Sequence, residues 1–185
     1  PEIMSISDDL EEIYKDLHAN PELGFEEERT SKIIQKKLKE YGVDEIHAGL
    51  GTTGVVAVIH GNTGKKKVGL RADIDALPIQ ETTELPFASK IPNKMHACGH
   101  DGHTTMLLGA AKYLASKRSF SGSAVLIFQP AEEGLGGADK MIKDGLFRRF
   151  PCDEIYGIHN TPNGNFGQIG ICKGVAMAGA AFFDI

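Results

Sequence analysis

The sequence predicts a layered α/β domain. Short apolar runs rich in β-branched residues and bounded by glycine alternate with stretches of helical apolar spacing. With 185 residues, the chain is long enough for one domain with a hydrophobic core. Its 41% hydrophobic and 24% charged residues are typical of a globular protein.

Helices are predicted from apolar residues at helical spacing. The first includes Leu10 to Leu17, and the second runs from about residue 27 to 41 and ends at Gly42. Asp101 is expected to cap a third helix that reaches about Ser116, and a short helix is expected at residues 138–143. The inner face of the third helix is predicted to contain Met106, Leu107, Ala110, Ala111 and Leu114.

Strands are predicted where apolar runs are short. Buried strands are expected at residues 55–59, 68–70 and 124–128, and further strands at residues 154–158, 167–171 and 180–185. Because the chain stops inside this last apolar run, we expect it to be part of a longer domain.

Charge and cysteine content narrow the class of protein. A net charge of −5 and a pI of about 5.8 do not favour binding to nucleic acid or to an anionic membrane. No apolar run approaches the ~20 residues of a membrane-spanning helix, and no secretory signal is visible. Three irregularly spaced cysteines make a poor disulfide framework, which predicts a reducing, cytoplasmic location.

Ligand-type residues concentrate in four segments, three of which follow predicted strands, where open α/β sheets gather their ligands. The densest segment, residues 95–103, contains three of the seven histidines and Cys98. Cys98 and His100 flank a glycine, and thiolate and imidazole suit zinc and similar metals. The positive end of the following helix is expected to keep Cys98 as a thiolate. The structural alternative is a polar turn with a buried cysteine.

The other three segments are individually weaker. Glu132 and Glu133 could divide labour, one binding metal while the other takes a proton from water, or they could simply cap a helix. His159 ends a predicted strand, where a single histidine is often structural. The aspartates of residues 71–78 could orient a metal-binding imidazole, or cap the turn.

Taken in order, the motifs NPELGFEE, GLRADIDALP, MHACGHDGHT, FQPAEEG and GIHN resemble one family across essentially the whole chain. The chain is similar to the amidohydrolase branch of the aminoacylase/carboxypeptidase G-like metallopeptidases. That branch includes hippurate hydrolases, bacterial N-acyl-amino-acid deacylases and plant auxin-conjugate hydrolases. The likeness is greatest to hippurate hydrolases, through PAEEGLGGA and MIKDGLF. The resemblance implies a zinc-exopeptidase-like α/β/α catalytic domain with a mixed sheet.

The resemblance also implies roles for particular residues. Cys98, His100, Glu133 and His159 would bind two divalent ions, which could be zinc, manganese, cobalt or nickel. Glu132 would be the general base. Asp73 and His103 would contact the metal-binding side chains without binding the metal themselves. Arg71 occupies the position at which many family relatives have a metal-binding histidine. His100 would therefore take the role of that histidine.

The implied reaction is metal-dependent hydrolysis of the amide bond of N-acyl amino acids, either hippurate-type substrates or N-acetyl intermediates of amino-acid biosynthesis. Two alternatives remain open: a cysteine hydrolase with Cys98 as nucleophile and His100 as base, and a metal-binding module without activity. Residues 1–185 would be the N-terminal part of the catalytic domain, without the lid and dimerisation domain or the last histidine ligand. We therefore expect this segment alone to be inactive, and the full-length protein to be a homodimer or homotetramer.

Overall fold

A computed structural model describes residues 7–177, in which five strands form one sheet with helices on both faces. The elements, in chain order, are α1 (Ser7–Ala19), α2 (Glu28–Glu40), β1 (Glu45–Leu50), β2 (Gly54–His60), β3 (Thr63–Asp73), α3 (His100–Lys117), β4 (Ser121–Gln129), α4 (Gly137–Lys143), α5 (Leu146–Arg149) and β5 (Glu154–Gly157).

The sheet is mixed, with strand order β1-β2-β4-β3-β5. β2 pairs antiparallel with both β1 and β4, whereas β3 pairs parallel with both β4 and β5. The carboxyl ends of β4, β3 and β5 therefore lie side by side at one edge of the sheet. The segments that follow these three strands carry most of the chemically interesting side chains.

Two hydrophobic cores lie on opposite faces of the sheet, because successive strand residues point to opposite sides. Val55, Ala57 and Ile59 of β2 pack into the core covered by α1, α2 and α3. Val56 and Val58 pack into the core that contains Met141 of α4 and Leu146 of α5. This arrangement is the α/β/α layering that the resemblance implied.

The helix predictions are confirmed in position, with two corrections at α3. Gly99, not Asp101, is its N-cap, with φ of 83°, and a Cβ at Gly99 would lie 2.7 Å from Oδ1 of Asn160. Only glycine combines this backbone conformation with so close a neighbour. Met106 is 45% exposed and does not belong to the inner face, where the fully buried Leu108 lies instead.

The strand predictions differ from the structure at β1 and at residues 167–171. β1 was not predicted, because it is a mostly exposed edge strand without a continuous apolar run, and it pairs only with β2. The strand predicted at residues 167–171 is wrong: Ile169 and Ile171 are 79% and 92% exposed, and no described strand pairs with them. The strand predicted at residues 180–185 lies outside the described residues. The helix α5 was not predicted.

Two further properties concern the described residues. Within residues 7–177, no helix is both long and apolar enough to cross a membrane. Cys98, Cys152 and Cys172 are all free thiols. Their unpaired state agrees with the poor disulfide framework expected from their spacing.

A buried ionic cluster fixes the start of α3 to α1. Nδ1 of His18 lies 2.6 Å from Oδ2 of Asp101, and Nε2 lies 3.1 Å from Oε1 of Glu81. Ionised carboxylates only accept hydrogen bonds, so both ring nitrogens must donate and His18 must be an imidazolium. The hydrogen bond to Asp101 raises the pKa of His18, burial opposes the shift, and the bond to Glu81 adds to it.

We expect His18→Leu to lower the free energy of unfolding by about 3 kcal/mol at pH 6, because two buried carboxylates lose their cation. A raised pKa in the folded state stabilises the protein fully below pH ~6.5, and this stabilisation is lost as pH rises through the raised value. Urea unfolding at pH 6 and pH 9 should therefore show a smaller difference between wild type and variant at pH 9.

A surface substitution provides the control for this prediction. His60 is exposed beside Glu45, with 3.2 Å between Nε2 and Oε1, and His60→Leu should cost less than about 1 kcal/mol. An effect of His18→Leu that was the same at both pH values would contradict an imidazolium at this position.

Candidate metal centre

The candidate site lies at the carboxyl ends of the three parallel strands. β3 ends at Asp73, with Asp75 two residues further on, and β4 leads into the loop that carries Glu132 and Glu133. His159 follows β5. The loop before α3 adds Cys98, and the first residue of α3 adds His100.

Three of the predicted ligands form a compact group. Cys98, His100 and Glu133 each present a ligand atom, and these atoms lie within 4.8 Å of one another. Nε2 of His100 and Oε1 of Glu133 are 3.8 Å apart, and both are buried without a hydrogen-bond partner. Unpaired buried polar atoms are rare and call for an explanation. A cation between them would satisfy both atoms, so the residues fit a divalent metal ion.

His159 completes the predicted ligand set on the side of β5. Its Nε2 lies 3.5 Å from Sγ of Cys98, and its Nδ1–H donates to the carbonyl oxygen of Asn160 at 2.7 Å. His159 also belongs to a second, overlapping ligand group with Asp73, His100 and His103. Since Asp73 and His103 are hydrogen-bonded to each other at 2.6 Å, the free ligand atoms of this second group belong to His100 and His159.

Asp75 contacts two of the predicted ligands, His100 and Glu133. Oδ1 lies 3.1 Å from Nδ1 of His100, and Oδ2 accepts the backbone N–H of Glu133 at 3.0 Å. A proton on Nδ1 leaves Nε2 of His100 free to bind a metal. Asp75 is 1% exposed, so its two contacts are well defined. The resemblance assigned a supporting role to Asp73 but not to Asp75. The sequence signal for Asp75 was its place near the end of a predicted strand, two residues after Asp73.

Asp73 supports the second ligand group, which includes His103 and His159. Its Oδ2 accepts Nη1–H of Arg71 at 2.7 Å, and its Oδ1 lies 2.6 Å from Nδ1 of His103. Nε2 of His103 in turn lies 2.7 Å from Oδ1 and 3.1 Å from the backbone nitrogen of Asn160. Burial opposes the ionisation of Asp73, but the His103 hydrogen bond and the charges of His100 and Arg71 outweigh it and lower its pKa to about 2. Arg71 therefore binds Asp73, and His103 fixes the backbone beside His159.

We expected the start of α3 to keep Cys98 as a thiolate. This expectation is wrong when only the protein's own charges act on the thiol. Burial raises the pKa of Cys98 to about 11, and the carboxylates of Glu133, Glu132 and Asp73 contribute in the same direction. These negative charges outweigh the partial positive charge of the helix end. A divalent cation bound by Cys98 would reverse this balance, because a coordinating thiol is deprotonated.

The two adjacent glutamates differ in position. The Glu133 side chain is 26% exposed and faces His100, whereas that of Glu132 is 41% exposed, with Oε2 4.0 Å from Nε2 of His100. Glu133 thus lies within the ligand group, and Glu132 lies on its open side, where solvent and substrate would enter.

We expect Asp75→Asn to weaken metal binding by about 10–100-fold, because asparagine has a single acceptor oxygen and must lose the hydrogen bond from either His100 or Glu133. Competition titration with a chromophoric chelator would measure the affinity. Asp153→Asn is a matched control, since Asp153 also accepts a backbone N–H, from Lys67 at 2.7 Å, but lies outside the ligand groups. Equal affinities for Asp75→Asn and wild type would contradict this role of Asp75.

Thiol, imidazole and carboxylate groups at the carboxyl ends of parallel strands in an α/β/α domain form a candidate site for divalent metal ions. The sequence pattern of Peptidase family M20/M25/M40 matches residues 69–177, more than half of the chain. The chain belongs to this family.

Curated relatives support the amidohydrolase branch of the family. Hippurate hydrolase from Campylobacter jejuni is 53% identical over 185 residues, covering 100% of this chain and 48% of the relative. An IAA-amino acid hydrolase from Arabidopsis thaliana is 48% identical, covering 97% and 40%, respectively. N-acetylcysteine deacetylase from Bacillus subtilis is 44% identical, covering 92% and 45%. The chain thus spans about half the length of these relatives.

A solved structure confirms the fold. A dinuclear metal-binding M20-family peptidase from Bacillus subtilis superposes with a TM-score of 0.81 at 43% identity, covering 86% of this chain and 45% of the other. A putative aminohydrolase from methicillin-resistant Staphylococcus aureus gives a TM-score of 0.80 at 41% identity, covering 85% and 42%. The mixed sheet with helices is therefore that of the M20 catalytic domain.

Proposed function

We propose that the protein hydrolyses the amide bond of N-acyl amino acids, releasing a carboxylic acid and an amino acid. The observation that carries this proposal is the unpaired, buried pair formed by Nε2 of His100 and Oε1 of Glu133, with Glu132 immediately beside it. The names of the three curated relatives also refer to hydrolysis or deacetylation of acylated amino acids.

In this proposal Cys98, His100, Glu133 and His159 hold two divalent ions, and zinc, manganese, cobalt and nickel all suit these donors. The name of the Bacillus subtilis structure, a dinuclear metal-binding peptidase, supports two ions. When bound, such ions lower the pKa of water towards ~7 and polarise a carbonyl group.

The protein's own residues orient the ligands and move the proton. Asp75 sets the tautomer of His100, and the Asp73–His103 pair holds the segment that carries His159. Glu132 takes a proton from the attacking water, whose oxygen forms a bond to the amide carbon. The carbon–nitrogen bond then breaks, and Glu132 returns the proton to the leaving amine.

The proposal leaves open which acyl group the substrate carries. Hippurate-type substrates are favoured by the 53% identity to hippurate hydrolase. N-acetyl amino acids are the second candidate, because deacetylases for N-acetylcysteine and N-acetyldiaminopimelate are 44% and 42% identical. A hydrolysis screen with hippurate, N-acetylcysteine and N-acetyldiaminopimelate, repeated with each metal, would discriminate between them. Absence of turnover on all N-acyl amino acids would refute the proposed reaction.

We further propose that residues 1–185 form the N-terminal part of a catalytic domain in a cytoplasmic homodimer or homotetramer. The chain's match to about half of each relative supports a partial catalytic domain, and its unpaired cysteines suit a reducing compartment. A protein limited to residues 1–185 would then lack the last histidine ligand. We expect it to show no turnover, and sedimentation velocity of the complete protein would report its oligomeric state.

A further inference from the structure

The loop between β4 and α4 carries both glutamates in an unusual backbone conformation. Ala131, directly before Glu132, has φ of 48° and is fully buried. Residues other than glycine rarely adopt this left-handed conformation, and they keep it only where the surroundings enforce it. The direction in which Glu132 leaves the backbone depends on this residue.

Glu27 is the group that holds Ala131 in place. Its carboxylate is fully buried; Oε1 accepts the backbone N–H of Ala131 at 2.8 Å, and Oε2 accepts the hydroxyl proton of Thr53. The carbonyl oxygen of Ala131 accepts N–H of Gly137 at 2.9 Å. Both backbone polar groups of Ala131 are therefore bound, one by a side chain 104 residues away in sequence.

The same N-terminal segment also supports the loop by direct packing. A Cβ on Gly24 would lie 3.0 Å from both Cα and Cβ of Ala131 and 2.9 Å from Cδ1 of Leu135. Residue 24 therefore has no room for a side chain. The segment from Gly24 to Glu27 approaches the glutamate loop closely enough to limit its movement.

We infer that Glu27 is a positioning residue for the reaction: by holding the backbone of Ala131, it fixes the direction of the Glu132 side chain towards the metal-ligand group. This inference rests on the proposed function. The hydrogen bonds of the Glu27 carboxylate go to Thr53 and Ala131, and it is not part of either ligand group. It therefore acts through the loop, and it gives the NPELGFEE motif a role at the site.

Glu22, five residues earlier in the same motif, has a different task. Its carboxylate accepts the backbone N–H groups of Arg29 and Thr30 at 2.9 and 2.7 Å, and the Thr30 hydroxyl at 2.8 Å. These contacts satisfy the free N–H groups at the start of α2. Glu22 thus supports a helix where Glu27 supports the loop, and it provides a matched control.

Two conservative substitutions test whether the length of the Glu27 side chain or its charge is required. Glu27→Gln keeps the side-chain length and one acceptor for Ala131, and its NH₂ group can donate to Thr53. Glu27→Asp keeps the charge but withdraws the acceptor by about 1.5 Å. Since misplacement by about 1 Å can cost ~10²-fold in rate, we expect Glu27→Asp to lower kcat by ~10²-fold. KM and metal content should stay near normal, and Glu27→Gln should stay within about threefold of wild type.

Glu22→Asp should lower the melting temperature and leave kcat unchanged. Equal losses of kcat in Glu27→Asp and Glu27→Gln, or no loss in either, would overturn the inference. So would a loss of metal in Glu27→Asp that accounts for its lower rate.

The double variant separates this inference from the proposed function. If Glu27 acts only through Glu132, adding Glu27→Asp to Glu132→Gln lowers kcat no further, whereas an independent structural effect multiplies the two losses. Multiplied losses would refute the positioning role and leave the proposed function intact. If Glu132→Gln alone kept full activity, the proposed function would be wrong instead.

Discussion

Glu132→Gln is expected to lower kcat for the N-acyl amino acid by ~10²–10⁴-fold, the usual contribution of a general base. The amide has nearly the shape of the carboxylate but cannot take the proton from the attacking water. The metal content should remain normal, because the side chain lies on the open side of the ligand group, 4.0 Å from Nε2 of His100. Steady-state kinetics and elemental analysis of the same preparation would measure both quantities.

Glu133→Gln is the matched comparison, since the two residues are adjacent and the substitution is chemically identical. Oε1 of Glu133 is buried and unpaired, 3.8 Å from Nε2 of His100, so this variant should lose metal first and activity as a consequence. Excess metal should then restore part of the activity of Glu133→Gln and none of that of Glu132→Gln. If the effects were exchanged, the roles of the two glutamates would have to be reversed.

The parts of the fold that could be predicted from sequence are those governed by local periodicity. The apolar runs at residues 55–59 and 124–128 identified β2 and β4, because these strands are buried on both faces. β1 has polar residues on an exposed edge and gave no such signal. At residues 167–171 an apolar run alone suggested a strand, but a strand needs a neighbour to pair with, and no described strand lies beside it.

Most of the candidate site was visible as clustered ligand types, and Asp73 and His103 were expected to support it, but the partners of the supporting residues were not predictable. Cys98 and His100 are two residues apart, so their common purpose can be inferred from spacing. Asp75 acts on Glu133 across 58 residues, and Glu27 acts on Ala131 across 104. No local pattern encodes these contacts, because they depend on how β3, β4 and α2 pack together. The imidazolium of His18 was missed for the same reason.

The raised pKa of Cys98 bears directly on the rival reaction. A cysteine hydrolase needs a thiolate activated by a nearby base. Here burial and the surrounding carboxylates raise the pKa to about 11, so the metal-free thiol is almost entirely protonated at neutral pH. The nearest imidazole nitrogen among its hydrogen-bond partners is Nε2 of His159 at 3.5 Å, not His100. This environment suits a ligand that loses its proton to a bound cation.

Removal of metal is therefore expected to abolish hydrolysis completely, and added Zn²⁺ or Mn²⁺ to restore it. Dialysis against a chelator, followed by activity measurements during titration with each metal, would test this. In the metal-free protein, iodoacetamide should alkylate Cys98 slowly because the thiolate is scarce; the exposed Cys172 would first be replaced by serine to remove a competing thiol. A cysteine nucleophile would give the opposite pattern: turnover that survives chelation, and rapid alkylation of Cys98 that stops it. Turnover that survives chelation would exclude the metal-dependent mechanism and revive the cysteine hydrolase.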